Sequence, residues 1–84
     1  MCLYVAEFYL PREASLDSVV RRAKDGAAEV ASRGYQVRFV RAIFVPPDET
    51  CLMMYEAASA EQVREAGMRS GLDFDRVSEA QAAC

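Results

Sequence analysis

Histidine is missing from this 84-residue sequence. That removes imidazole general bases and histidine-based metal sites together. Glycines number four and are scattered, with no GxGxxG or P-loop spacing, so nothing supports a phosphate cradle. Cysteines number three, Cys2, Cys51 and Cys84, far apart and without a CxxC pair, so a disulfide framework is not expected. The segment Cys2–Leu10 has no basic start and contains Glu7, unlike a secretory leader, so a reduced cytoplasmic protein is expected. Apolar runs fall well short of the ~20 residues a membrane helix needs. Basic residues are outnumbered, 10 Lys and Arg against 13 Asp and Glu for a net charge of −3, which disfavours nucleic-acid partners.

What is present suits one small globular domain over residues 1–80 with a short tail at 81–84. A hydrophobic fraction of 52% with 27% charged residues excludes a disordered chain. A domain this short buries a modest share of its surface, and oligomerisation is a common supplement.

Hydrophobic periodicity divides the chain into six elements. Cys2 to Tyr9 is β-branched and aromatic and reads as a strand stopping before Pro11. Leu16, Val19, Val20, Ala23, Ala27 and Val30 recur at helical spacing, with Ser15 as N-cap and Gly34 beyond the end, predicting a helix over about 16–33. Gly26 inside that helix costs about 1 kcal/mol against alanine, which either a close contact or simple tolerance explains. Residues 35–45 form a second strand, Pro46-Pro47-Asp48-Glu49 turns the chain, and residues 50–56 return as a third. Ser59 and Gln62 have capping-box spacing and open a helix closed by Gly71, with Val63, Ala66 and Gly67 as a thin inner stripe. Residues 73–79 supply a last short strand.

Two βαβ units with right-handed crossovers interleave into a four-stranded antiparallel sheet of order 4-1-3-2, both helices on one side. That is the ferredoxin-like α+β sandwich. The helix-free side should then be polar, yet neither alternation of the first three strands is. A large apolar patch is rare on a monomer, so a second copy is expected to cover it, giving a dimeric α+β barrel. Small residues at the sheet centre predict Tyr4, Ala6, Phe8, Val40, Ala42, Phe44, Leu52 and Met54 toward the helices. Val5, Glu7, Tyr9, Phe39, Arg41, Ile43, Cys51, Met53 and Tyr55 should line the open face.

Glu7 and Arg41 are the candidate catalytic pair. A carboxylate partly buried among apolar side chains is suited to proton transfer, and a nearby arginine can orient it. An intersubunit salt bridge or a solvated barrel rim accounts for the same two residues more plainly. Val5, Tyr9, Phe39, Ile43, Cys51, Met53 and Tyr55 are the candidate ligand-binding residues. Cys51 lacks a histidine to activate it and reads as a small buried hydrophobe. Alternating Asp73, Asp75 and Glu79 protect a terminal edge strand in preference to binding a cation.

Three stretches carry a family resemblance: Val5 to Pro11, Pro47 through Glu65 including Tyr55-Glu56-Ala57-Ala58-Ser59-Ala60-Glu61-Gln62, and Ser70 to Val77. Together they resemble a small bacterial ferredoxin-like family of unknown function that includes actinobacterial nickel-binding proteins. The resemblance implies the same topology and a tendency to dimerise. Its nickel-binding members use histidines in the first strand and near the end of the second helix, where this chain has Ala6, Glu7, Gly67 and Leu72. No metal and no cofactor are therefore expected.

The function expected first is a homodimer holding a small, partly apolar ligand on the open sheet face. The alternative is a cofactor-independent isomerase, cyclase or oxygenase of a biosynthetic pathway, with Glu7 as acid/base and Arg41 with a tyrosine stabilising an enolate. A third reading is a structural dimer without a ligand.

Overall fold

The computed structural model describes residues 1–82. The expected tail at 81–84 thus lies partly outside the described residues. Strand β1 (Cys2–Tyr9) is followed by helix α1 (Leu16–Ala31), strand β2 (Val37–Val45), a single 3-10 turn over Pro46–Asp48, strand β3 (Thr50–Ala57), helix α2 (Ala60–Arg69) and strand β4 (Arg76–Ala80). The sheet order is β2-β3-β1-β4, every pairing antiparallel, which is the ferredoxin-like arrangement. Among the described residues no helix is long and apolar enough to cross a membrane.

Local chemistry sets the element ends. The Ser15 hydroxyl accepts from the Ser18 N–H at the start of α1, and the Ser59 hydroxyl accepts from the Gln62 N–H at the start of α2. Only that half of the expected capping box forms. The Gln62 side-chain carbonyl instead accepts from the Gln36 N–H at 2.8 Å and ties α2 to the entrance of β2. Helix α1 stops earlier than periodicity suggested, at Ala31, and Gly34 turns the chain at φ 96°. Between β2 and β3, Glu49 adopts a left-handed φ of 47°. Its carboxylate accepts from the Arg12 N–H and its main-chain carbonyl accepts from the Leu10 N–H, so this turn also holds the exit of β1.

The helices lie against each other and against one side of the sheet. Gly26 of α1 faces Ala66 and Ser70 of α2, where an added Cβ would stand 2.1 Å from the Ser70 hydroxyl and 2.8 Å from the Ala66 carbonyl oxygen. The close contact, not tolerance, explains the mid-helix glycine. Arg22 reaches across from α1, its Nε donating to the Ser70 carbonyl at 3.1 Å and its Nη2 to the Gly71 carbonyl at 2.6 Å. A cation thereby satisfies the C-terminal carbonyls of α2, where the helix dipole favours positive charge. Val63, Ala66 and Gly67 form the buried stripe of α2, with the Phe74 ring filling the space beside Gly67.

Candidate functional site

Cross-strand partners share a face of a sheet, so the register assigns every side chain. Ala6 pairs with Met53, and Met53 pairs with Ala42. The small residues at the sheet centre do face the helices, as do Tyr4 and Phe8, but they bring Met53 with them in place of Leu52 or Met54. Cys51, Met53 and Tyr55, expected on the open face, are 0% exposed in the core beneath the helices. Leu52 and Met54, expected inward, stand half-buried on the open face. The cause is the composition of β3. It is apolar on both alternations, so its own pattern cannot select a phase, and the register with β1 and β2 does so instead.

Strand β2 departs from simple alternation. A bulge between Phe39 and Arg41 leaves Val40 without a partner. Before it, Val37 and Phe39 point toward the helices; after it, Ala42 and Phe44 do. Phe39 is therefore a core residue, not an open-face one, and its ring meets that of Tyr55 edge-on at 5.7 Å. Val40, expected inward, is 38% exposed at the bulge. Arg41 and Ile43 keep their expected place on the open face.

The open face is a grid. Across β2, β3, β1 and β4 its rows read Arg38, Glu56, Leu3, Ala80; then Arg41, Met54, Val5, Ser78; then Ile43, Leu52, Glu7, Arg76; and finally Val45, Thr50 and Tyr9 on the three strands that reach that far. Leu3, Val5, Leu52 and Met54 are half-buried in the middle, while Tyr9 and Ile43 lie well exposed. Charges sit around this apolar band. Arg38 forms an ion pair with Glu56. Glu7 and Arg41 do not meet within one chain: β3 lies between their strands and they occupy different rows. Among the described residues neither has an ion-pair partner. The orienting pair expected from the sequence is thus not formed by a single copy.

Periodicity missed Leu3, Leu52, Met54, Val45 and the Arg38–Glu56 pair. The signal that finds most of them is the β2–β3 turn. It closes with Val45 opposite Thr50 and Phe44 opposite Cys51, so placing Phe44 and Ala42 inward obliges Cys51 and Met53 to follow.

Two buried groups on the helix side bear on chemistry. Burial pushes the Cys51 thiol up to about 11, which keeps it protonated and poorly nucleophilic. Burial, with a smaller contribution from the neighbouring Cys51, raises the Tyr55 phenol well above its ordinary 10.0. The Tyr55 hydroxyl is enclosed and has no hydrogen-bond partner among the described residues. As for metal ligation, the sequence has no histidine, and among the described residues no three of Cys, Asp and Glu converge.

A crystal structure of SCO4226 from Streptomyces coelicolor A3(2) is similar to this chain, with a TM-score of 0.75 at 21% identity over 98% of this chain and 99% of that one. At that identity the likeness concerns the fold. No curated protein matches. A family model described as nickel responsive protein, SCO4226-like, matches residues 2–80, nearly the whole of the fold just described. The chain belongs to the SCO4226-like family.

Proposed function

We propose that two copies of this chain pack open face to open face as an α+β barrel dimer, and that the space between the sheets takes a small, partly apolar ligand. One observation carries this reading: Leu3, Val5, Leu52, Met54, Ile43 and Val45 form contiguous rows on a side of the sheet that no helix covers. A patch of this kind is costly to leave in water, and apposed sheets bury it at the spacing of a β-sandwich. The charges suit a second copy. Arg41 on β2 and Glu7 on β1 are opposite in sign, lie on separate strands and have no ion-pair partner among the described residues, so a partner can complement both. Apolar walls with a few polar groups, here Tyr9, Glu7 and Arg41, have the make-up of a ligand site.

The family's description as nickel responsive does not transfer readily to this donor set. A histidine-free chain without a converging trio of acids and thiols, among the described residues, offers nickel no site of the usual imidazole or mixed type. We therefore assign the face an organic ligand. The enzymatic alternative draws on Glu7, half-buried and outside any ion pair among the described residues, with the exposed Tyr9 in the next row.

Light scattering on size-fractionated protein tests the dimer. The expected mass is twice 9.3 kDa, and Met54→Lys, which introduces a like charge at the centre of the joint, should give a folded monomer. A wild-type monomer at micromolar concentration would overturn the proposal. An apolar dye should bind the dimer and not the Met54→Lys monomer; a dimer that takes up no dye overturns the ligand and leaves a structural pair. Glu7→Gln that keeps ligand affinity while abolishing turnover of that ligand would decide for the enzyme.

A further inference from the structure

A second concavity lies on the other side of the sheet, beyond the proposed dimer joint. It is a groove of about 450 Å³ between α1 and β2, floored by Ala27, Ala28, Ala31, Val37 and Phe39, with Lys24 at its rim. It runs beside a free sheet edge, because β2 is the outermost strand. Hydrogen-bond parity shows which backbone groups that edge presents. The Ala58 N–H donates to the Gln36 carbonyl at 2.9 Å, and antiparallel ladders alternate bonded and non-bonded pairs. Gln36 and Arg38 thus turn their backbone groups toward β3. Val37 and Phe39 turn theirs off the sheet.

We propose that this edge and groove form a docking site for an extended peptide in which apolar and acidic residues alternate. The peptide adds as a fifth strand along Val37–Phe39, pairing with the free N–H and C=O groups of those two residues. Direct neighbours across the new pairing share a face. Peptide residues opposite Val37 and Phe39 therefore send their side chains into the alanine-lined groove, where an apolar group fits. The residue between them stands opposite Arg38, on the open-face side, with Arg41 one row on. That position suits a carboxylate, which would share Arg38 with Glu56 and has Arg41, without an ion-pair partner among the described residues, one row away.

The same charges argue against a second copy as the occupant. Antiparallel pairing of β2 with another β2 would bring the Arg41 of both chains, without an ion-pair partner among the described residues, onto one face of the joint beside each chain's Glu56-paired Arg38. Like charges across a strand pair are destabilising. An acidic strand meets the opposite situation. The bulge at Val40 confines the regular part of the edge to the stretch beside the groove, so the docking motif is short.

The probe is an acetylated, amidated pentapeptide alternating valine and glutamate, titrated into nitrogen-15-labelled protein. Expected are amide shift changes at Val37, Phe39, Ala28 and Ala31, with slowed hydrogen exchange at Val37 and Phe39. A version with lysine for glutamate should bind at least about tenfold more weakly, the loss of one good contact. Ala28→Trp fills the groove from an exposed helical position and should weaken binding by about the same factor, and Arg41→Glu, on the face of the peptide carboxylates, should weaken it in the same direction. Perturbation centred on Leu52 and Met54, equal binding of the lysine peptide, or indifference to both substitutions overturns the proposal. So does exchange protection of Val37 and Phe39 already present without peptide, which would show a second copy on the edge.

Discussion

Replacing Gly26 with alanine is the sharpest test of how the helices are packed. On an isolated helix the change gains about 1 kcal/mol of propensity. In the folded domain the new methyl carbon would sit 2.1 Å from the Ser70 hydroxyl oxygen, 2.8 Å from the Ala66 carbonyl oxygen and 2.8 Å from the Ser70 amide nitrogen. The hydroxyl can swing aside only by giving up its 2.7 Å bond to the Ala66 carbonyl in a buried setting. The other two atoms are backbone and cannot move without separating α1 from α2. Parting the helices also stretches the two Arg22 bonds to the end of α2. Overpacking of this kind costs about 1–3 kcal/mol and sometimes more. With three contacts under 3.0 Å, two of them to backbone, the cost falls at the upper end of that range, about 3 kcal/mol. Set against the propensity gain, this leaves a net loss of about 2 kcal/mol, which for a domain of this size lowers Tm by roughly 8–16 °C. Thermal and urea unfolding at matched protein concentration measure it, since dimerisation makes stability concentration-dependent. Adding Ser70→Ala removes the shortest contact and should restore only part of the loss. A Gly26→Ala protein as stable as the original would refute the close-packing account and return the glycine to tolerance.

Four other outcomes are expected. Tyr55→Phe removes a buried hydroxyl that has no partner among the described residues and should be neutral or stabilising by about 1 kcal/mol in urea unfolding; a clear destabilisation would reveal a hidden hydrogen bond. In native protein, iodoacetamide followed by peptide mass mapping should modify the exposed Cys2 and spare the buried Cys51, whose thiol is pushed up to about 11; labelling of Cys51 at a comparable rate would contradict its burial. Because that folded-state value lies above the ordinary 9.0, the unfolded thiol ionises first, so stability held below pH 9 should fall as pH climbs toward about 11, as a comparison of urea midpoints at both ends of that window will show. Arg22→Ala deletes two side-chain bonds to the α2 terminus and should cost about 1–3 kcal/mol by the same assay, with Arg22→Lys recovering less than half because a lysine cannot span both carbonyls.

The elements were legible because each rests on local chemistry. The 3.6-residue recurrence from Leu16 to Val30, the Ser15 and Ser59 caps and the Pro46–Glu49 turn are all written in neighbouring residues. The topology followed from handedness rules. What failed was the choice of face on β3, where Cys51, Met53 and Tyr55 alternate with Leu52 and Met54 and both sets are apolar. A strand greasy on both sides carries no phase of its own, and long-range pairing supplies it. In β2 the extra residue at Val40 breaks the period, so Phe39 and Ile43 cannot be placed by one alternation. The candidate site inherited those errors. Val5, Glu7, Tyr9, Arg41 and Ile43 were placed on the open face correctly because β1 and the far half of β2 keep their phase. The Gln62 contact to Gln36 was beyond local reading, since capping spacing describes one helix end and says nothing of a strand 26 residues away.

The bulge at Val40 also bears on how the protein stays out of aggregates. Every pairing on either side of it is in step: Phe39 lies opposite Tyr55, and Arg41 opposite the next residue, Met54. Deleting the single codon for Val40 would therefore leave the ladder continuous and make the outer strand straight and unbroken. A flat uninterrupted margin is the form in which sheets recruit one another into insoluble assemblies, and a kinked one resists it. One surplus residue, invisible to the core, then acts as a guard on solubility, and selection can keep it there without any role in binding or catalysis.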